Sequence, residues 1–454
     1  MKLVKSENHN PNYLAKIVNI TDFTPHPNPD CTKLKCAHVG GYSVSVSIDT
    51  PAGLYIYFPI GAQISSKFLS FNNLFRKAEL NFDSEKTGFF DENGRVKAIK
   101  LQKYPSEGFL LPASSLVEWG GSEIENLEDG IEFDTVEADG IVEQLCKKYV
   151  VKQRGSRGSN RTKQAKQPKG LSKLVEGQFR YHYDTVLIKK NPYAVKPDDI
   201  ISVTEKVHGT SGISAYVICN RPLTFVEKVI NFFSKNKLKA VEYDYLWSSR
   251  KVVKNPYYNE LVNEGFYGVD VWGYAHEILK PHLTKGLTVY YEIIGYLPNG
   301  GAIQSLKGKA YDYGCVPPEE GEKYTYNKHF NIKVYRVTYT NPDGTVYEFS
   351  AKQVQQWCQA NGLVPVRELY YGYAKDLYPD LDPTNHWNEN FIQRLSNDKR
   401  FYMEELSPSC FNKVPHEGIV IKIENSKSEA YKLKCFAFLQ RESATNESNI
   451  EDEN

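Results

Sequence analysis

Residues 203–217 read VTEKVHGTSGISAYV. β-branched and apolar residues run up to Glu205 and resume after Gly209, so the stretch predicts two strands joined by a tight connection. Lys206 opens that connection. Its plain reading is an exposed lysine before a turn. The sharper reading is a lysine placed to attack a nucleotide, and the rest of the chain has to decide between them.

At 454 residues the chain has room for two or three domains, each with its own core. Apolar residues at 41% and charged residues at 24% are ordinary for a globular protein. The 32 tyrosines suit base stacking, although strand-rich folds also favour tyrosine. The net charge of +1 hides an uneven distribution. Residues 147–173, KKYVVKQRGSRGSNRTKQAKQPKGLSK, hold no acidic residue, whereas the chain ends in ESNIEDEN. Such asymmetry points toward phosphate binding without proving it. The eight cysteines show no CxxC pair and no zinc spacing, so free thiols and no zinc are expected. No apolar stretch is long enough to span a bilayer, which predicts a cytoplasmic protein with no membrane partner, or one made in a host cytoplasm if viral.

Three regions follow from the pattern. Residues 1–146 are strand-rich, with short runs at 14–20, 34–39, 42–48, 53–58 and 94–101 separated by turn clusters. That spacing predicts a small five-stranded barrel of the OB type, a fold that commonly holds nucleic acid. Residues 147–175 lose all hydrophobic periodicity and read as a basic flexible linker, a solvated tether or a phosphate-tracking segment. Residues 176–440 alternate strand-like and helical runs, including a helix expected within 223–241. A second helix is expected within 350–362, with Ser350 as N-cap and Gly362 just past its end. This half predicts an α+β domain on antiparallel strands, and residues 441–454 an acidic tail.

Lys206-Val207-His208-Gly209 alone would carry little weight. It is followed by Tyr290-Tyr291-Glu292-Ile293-Ile294-Gly295, by Lys333-Val334-Tyr335-Arg336-Val337 and by His416-Glu417-Gly418-Ile419-Val420-Ile421-Lys422. Tyr431-Lys432-Leu433-Lys434 then puts two lysines on one face of a strand. The series resembles motifs I, III, IIIa, IV and V of the covalent nucleotidyltransferases, the polynucleotide ligases and mRNA capping enzymes. Ser248-Ser249-Arg250 is similar to the intermediate motif Ia. Taken singly, Glu292 and Glu417 also fit strand ends, Tyr335 a core position, and Lys432 and Lys434 an edge-strand device. The ordered co-occurrence favours the nucleotidyltransferase.

The resemblance implies a chemistry. The Lys206 amine attacks the α-phosphate of a nucleoside triphosphate, leaving a lysyl–NMP phosphoramidate. A free lysine, with a pKa of about 10.4, is protonated at neutral pH. Lys432, Lys434 and a divalent cation, Mg²⁺ or Mn²⁺, would favour the neutral amine and neutralise the triphosphate. Glu292 and Glu417 would hold the metal, its waters or the ribose hydroxyls. Tyr335 would stack on the purine, Arg250 would bind ribose or phosphate oxygens, and Glu205 would help read the adenine edge. Gly209 would allow close backbone approach to the nucleotide.

His208 stands where DNA ligases and capping enzymes usually carry aspartate, and EKVHGTS resembles motif I of RNA ligases. The barrel-like half also precedes the catalytic half. That order, with TPHPNPDCTKLKCAHVGGYSVSV (24–46), GLYIYFPIG (53–61), GFLLP (108–112) and FRYHYDT (179–185), resembles the ATP-dependent RNA ligases of the DraRnl type. The resemblance implies an N-terminal OB domain followed by an ATP-grasp-like adenylation domain of antiparallel sheets with flanking helices. The implied activity is sealing of 3′-OH and 5′-phosphate ends at nicks with RNA on the 3′ side, using ATP; a monomer is expected because each step needs only one active site. Its implied partner is RNA or an RNA-containing nicked duplex. Arg336 departs from the acidic residue common after the stacking aromatic. Apparent insertions near 220–245, 307–330 and 368–400 leave accessory contacts open. The rival readings are a capping guanylyltransferase and a non-catalytic RNA-binding protein.

Overall fold

The computed structural model describes residues 1–138, 141–150, 173–182, 185–234, 240–254, 267–425 and 429–444. Most of the expected basic linker, and the tail from 445 on, lie outside the described residues.

The chain crosses between two antiparallel sheets at the opening stretch. Ile200–Glu205 belongs to a five-stranded sheet ordered Val186–Leu187, Ala430–Lys434, Gly418–Ile423, Ile200–Glu205, Glu368–Tyr373. Its first pair is parallel and the others antiparallel. Thr210–Asn220 belongs to a six-stranded sheet ordered Val253–Lys254, Val241–Ser248, Thr210–Asn220, Leu287–Gly295, Phe330–Thr340, Val346–Glu348. Residues 206–209 are the whole connection, so Lys206 is fixed by two sheets at once.

Alternation decides which side chains face the space between the sheets. Ile201 and Val203, with Ile419, Ile421 and Ile423 of the neighbouring strand, join a core with Trp387, Phe391 and Leu395. Ser202 and Thr204 point the other way and pair across the sheet with Lys422 and Val420. The six-stranded sheet buries Val289, Tyr291, Ile332 and Val334 against the helices Val271–Leu279 and Ala351–Ala360. The second helix starts as its sequence predicts. The Ser350 side chain accepts from Gln353 N–H, and the Gln353 side chain returns the bond to the cap backbone. Gly362 follows with a φ of +65°.

Three further expectations meet the structure. The helix expected within 223–241 is seen as Phe225–Phe233, closed by a capping box from Thr224 and Glu227. Residues 368–400, read as an apparent insertion, supply an edge strand and the buried helix Trp387–Ser396. Strands form at 15–20, 34–39, 42–47 and 53–58, but from 94–101 only Ile99–Leu101 is extended. The N-terminal strands fall into several small antiparallel sheets, the largest four-stranded, and form no single closed five-stranded ladder among the described residues. Short strands broken by loops at 71–98 interrupt the hydrogen bonding that a barrel would need.

The two halves touch. Gly41 N–H donates to Lys189 O at 2.8 Å, Lys189 pairs with Glu107 at 2.7 Å, and Ala98 N–H donates to Ser443 Oγ at 3.0 Å. The helix Phe436–Ala444 thus lies against the N-terminal half.

Gly209 is required by contact rather than by conformation. A Cβ there would stand 2.4 Å from the Ile293 carbonyl oxygen of the adjacent strand. Gly209→Ala is therefore expected to cost about 1–3 kcal/mol through overpacking. A urea titration checks this, since an unchanged midpoint would show that the strands can part there at no cost.

Candidate active site

Backbone hydrogen bonds set the connection before any side chain acts. Lys206 N–H donates to Gly418 O at 2.9 Å, and Cys435 N–H to Glu417 O at 2.9 Å. His208 N–H donates to the Tyr313 hydroxyl at 2.7 Å. Gly418 has no alternative residue, because a Cβ there would meet Leu433 O at 2.1 Å at a φ of +141°.

Glu417 is the centre of the arrangement. It is 3% exposed, with Oε1 2.5 Å from Lys206 Nζ and Oε2 3.5 Å from His208 Nδ1. Burial opposes its ionisation, but Lys206, His208 and Lys434 outweigh burial and hold the carboxyl well below the usual range. The His208 ring meets Tyr311 and Phe438 edge-on, at 4.7 and 5.1 Å between centroids.

The second carboxylate behaves oppositely. Glu292 accepts from Ser211 Oγ at 2.8 Å, while its enclosed Oε2 has no hydrogen-bond partner among the described residues. Burial lifts Glu292 to about 7 despite the charge of Lys206. Glu205, 5% exposed, accepts from Ser409 Oγ at 2.9 Å, and burial raises it too. Its other oxygen lies 3.8 Å from His416 Nε2.

Glu205, Lys206, Glu292 and Tyr335 line one cavity of about 160 Å³ between the sheets, together with His182 and Lys422. The Tyr335 hydroxyl is 3.2 Å from His182 Nδ1. Lys432 stands across the sheet from Val420 on the cavity side, and Lys434 across from Gly418. Burial, then Lys434, Lys206 and Arg250, bring Lys432 down to about 7. The charge of Arg250 also acts on Glu292, Tyr335 and His182, which places it in the same cluster. Lys434 Nζ is 3.3 Å from Glu442 Oε1. A smaller cavity beside Lys432 and Lys434 is lined from the N-terminal half by Tyr13, Arg95 and Lys148.

The structure therefore gathers Lys206, Lys432, Lys434, Glu205, His208, Gly209, Arg250, Glu292, Tyr335 and Glu417 around one junction. Sequence reasoning passed over several neighbours. His182 is held neutral near the site, brought to about 3 by burial and by surrounding cations. Arg336 donates twice to Glu348 Oε2, at 2.9 and 2.7 Å, and lies over the Tyr290 ring. A carboxylate thus does stand beside Tyr335, supplied by the next strand. Only the run FRYHYDT hinted at His182; nothing local marked Glu348.

Two carboxylates with enclosed, unbonded oxygens suit a hard divalent cation that keeps waters and substrate phosphates as its other ligands. Glu292 and Glu417 carry those oxygens, and no group of three His, Cys, Asp or Glu side chains fit to hold a metal exists among the described residues.

No protein-family model and no curated protein matches this sequence. Solved structures do match, and the architecture they define is that of RNA ligases. A mutant of the Naegleria gruberi RNA ligase with ATP and Mn is similar over 95% of this chain and 99% of its own, with a TM-score of 0.53 at 14% identity. An apo mutant of the same enzyme gives 0.52 at 14% identity, over 95% and 99% of the two chains. A mutant with AMP and Mn gives 0.50 at 14% identity, over 94% and 98%. At these identities the likeness establishes the fold.

Lys432 generates a stability prediction. Its folded pKa of about 7 lies below its unfolded value of 10.5, so between them the unfolded chain binds the extra proton. Stability therefore rises with pH across that window, and the full penalty stands below it. Lys432→Gln is expected to melt above wild type at pH 6, with the difference closing as the pH approaches 10. A pH series of thermal melts reads this directly, and a gain that grew with pH would contradict it.

Proposed function

We propose that this chain is an ATP-dependent RNA ligase that seals 3′-OH and 5′-phosphate ends, at nicks with RNA on the 3′ side. The observation that carries the proposal is Lys206, held at a two-sheet junction against Glu417, with Glu292, Glu205 and Tyr335 opening onto the same cavity. The RNA-ligase fold supports it, and the Naegleria enzyme has been captured with ATP and Mn and with AMP and Mn.

The chemistry balances in three steps. The Lys206 nitrogen, once its proton has passed to water, forms a bond to the α-phosphorus of ATP, and the bond to the β-phosphate oxygen breaks with release of pyrophosphate. A 5′-phosphate oxygen then attacks the adenylate phosphorus and Lys206 leaves. Finally the 3′-OH attacks the activated 5′-phosphate and AMP departs. A divalent cation, when bound, supplies positive charge to the triphosphate. Lys432, Lys434 and Arg250 add fixed positive charge that needs no reorganisation as the phosphates react. Tyr335 offers its face to the adenine and Glu205 its edge contact. In this structure Lys206 is paired with Glu417, so the pair must open before attack. A metal-binding role for Glu417 would provide that opening.

The same reading extends to the domains. Residues 1–146 would act as an OB-like RNA-engaging domain of the DraRnl type, 147–175 as the tether, 176–440 as the adenylation domain and 441–454 as a tail. It also includes a cytoplasmic location and a monomer, because each step needs one active site.

Incubation with α-labelled ATP or GTP and Mg²⁺ or Mn²⁺, beside Lys206→Ala, tests the first step. Label on denatured protein from ATP, abolished in the variant, is the expected result. Label from GTP would instead indicate capping chemistry. Absence of label with any nucleotide would leave RNA binding without catalysis.

A further inference from the structure

Outside the cavity, in the loop 407–413, Phe411 is 77% exposed. A phenylalanine in a mobile loop would mean little, but this one is held. The buried Asp312 carboxylate accepts from Phe411 N–H at 2.8 Å through Oδ1 and from Asn412 N–H at 2.8 Å through Oδ2. Gly314 N–H donates to the same Oδ1 at 3.0 Å. Asn412 Nδ2 donates to Ala310 O at 3.0 Å, tying the loop to the hairpin formed by Ser305–Leu306 and Lys309–Ala310.

This loop adjoins the nucleophile on both sides. Ser409 donates to Glu205, the residue before Lys206, and Tyr313 accepts from His208 N–H. The same loop and hairpin carry three exposed lysines, Lys307, Lys309 and Lys413. None pairs with a carboxylate among the described residues. Asp312, the one acid of the loop–hairpin contact, directs its oxygens to backbone amides. A rigid exposed aromatic flanked by unpaired cations is the composition that binds single nucleic-acid strands, by stacking and by phosphate contact.

We infer that residues 407–413 and the hairpin at 305–310 form the surface that takes the RNA strand leading to Lys206, with Phe411 stacked on a base and Lys307, Lys309 and Lys413 on its phosphates. The inference rests on the RNA-ligase reading and adds the place of the substrate strand to it.

The test measures binding of a fluorescent nicked RNA duplex by the full chain, without ATP, across a salt series. Phe411→Ala is expected to weaken binding roughly tenfold, and Phe411→Trp to retain it. The triple variant Lys307→Ala, Lys309→Ala, Lys413→Ala is expected to lower the slope of log affinity against log salt by about 2. Thermal melts confirm that each variant is folded. Variants that bind like wild type would overturn the inference, as would wild type failing to bind RNA at all. Labelling of wild type from ATP separates the two readings. If wild type labels and seals while the variants bind normally, the enzyme stands and this surface is wrong. If wild type does not label, the ligase reading itself fails.

Discussion

A carboxylate removed from water is costly unless cations face it, and Glu417 is where this protein meets that constraint. Its Oε1 is claimed by Lys206, and its Oε2 faces His208 at 3.5 Å without a hydrogen bond, the two being alternate residues of the connection between the sheets. Its backbone is claimed by Cys435 at the end of the strand that carries Lys432 and Lys434. Gly418 accepts from Lys206 N–H and tolerates no side chain. One buried residue therefore holds Lys206 and faces His208 through its charge, and ties the lysine strand through its backbone. Loss of that carboxylate would leave Lys206 and His208 facing each other without an anion between them.

His208 changes the charge of the site relative to the aspartate usual in related motifs. A third carboxylate here would add to Glu417 and to Glu292, which burial already brings to about 7. A histidine packed edge-on to Tyr311 and Phe438, with Nδ1 toward Glu417, relieves that repulsion. The acid missing at position 336 is likewise replaced from elsewhere. Arg336 binds Glu348 of the neighbouring strand, and Lys422 approaches the same carboxylate at 3.6 Å. Both departures preserve a balance of charge around the cavity while moving the residues that supply it.

The second half was legible because its motifs sit on or beside strands. Thr210–Asn220, Leu287–Gly295, Phe330–Thr340 and Gly418–Ile423 coincide with strand-like runs; Glu292 and Tyr335 lie within two of them, and Glu417 stands immediately before Gly418–Ile423. The Ser350 cap and Gly362 were equally local signals. What the sequence withheld depends on contacts distant along the chain. Glu348 reaches Arg336 across a strand pair, Ser409 reaches Glu205 across 204 positions, and His182 meets Tyr335 across 153. No periodicity encodes such pairs. Barrel closure was not legible for a related reason, since strand count follows from pattern whereas closure depends on which edges pair. Within 368–400 the helix carrying Trp387 and Phe391 into the core was likewise masked by polar loops.

Among the cations of the site, Lys432 is destabilised in the structure as it stands. Lys432 is brought to about 7 by burial and by Lys434, Lys206, Arg250 and Lys148, so the fold gathers like charges from both halves of the chain. Ion pairs at the margin hold the halves together nonetheless, with Lys189 on Glu107 and Lys190 on Glu132. A lysine buried among like charges at its own cost is a position whose electrostatics an anionic ligand would complete. A triphosphate carries the charge that would complete it, and a neutral metabolite would not. The net charge of +1 therefore hides a local concentration, with Lys206 on the larger cavity and Lys432 and Lys434 on the smaller one beside it.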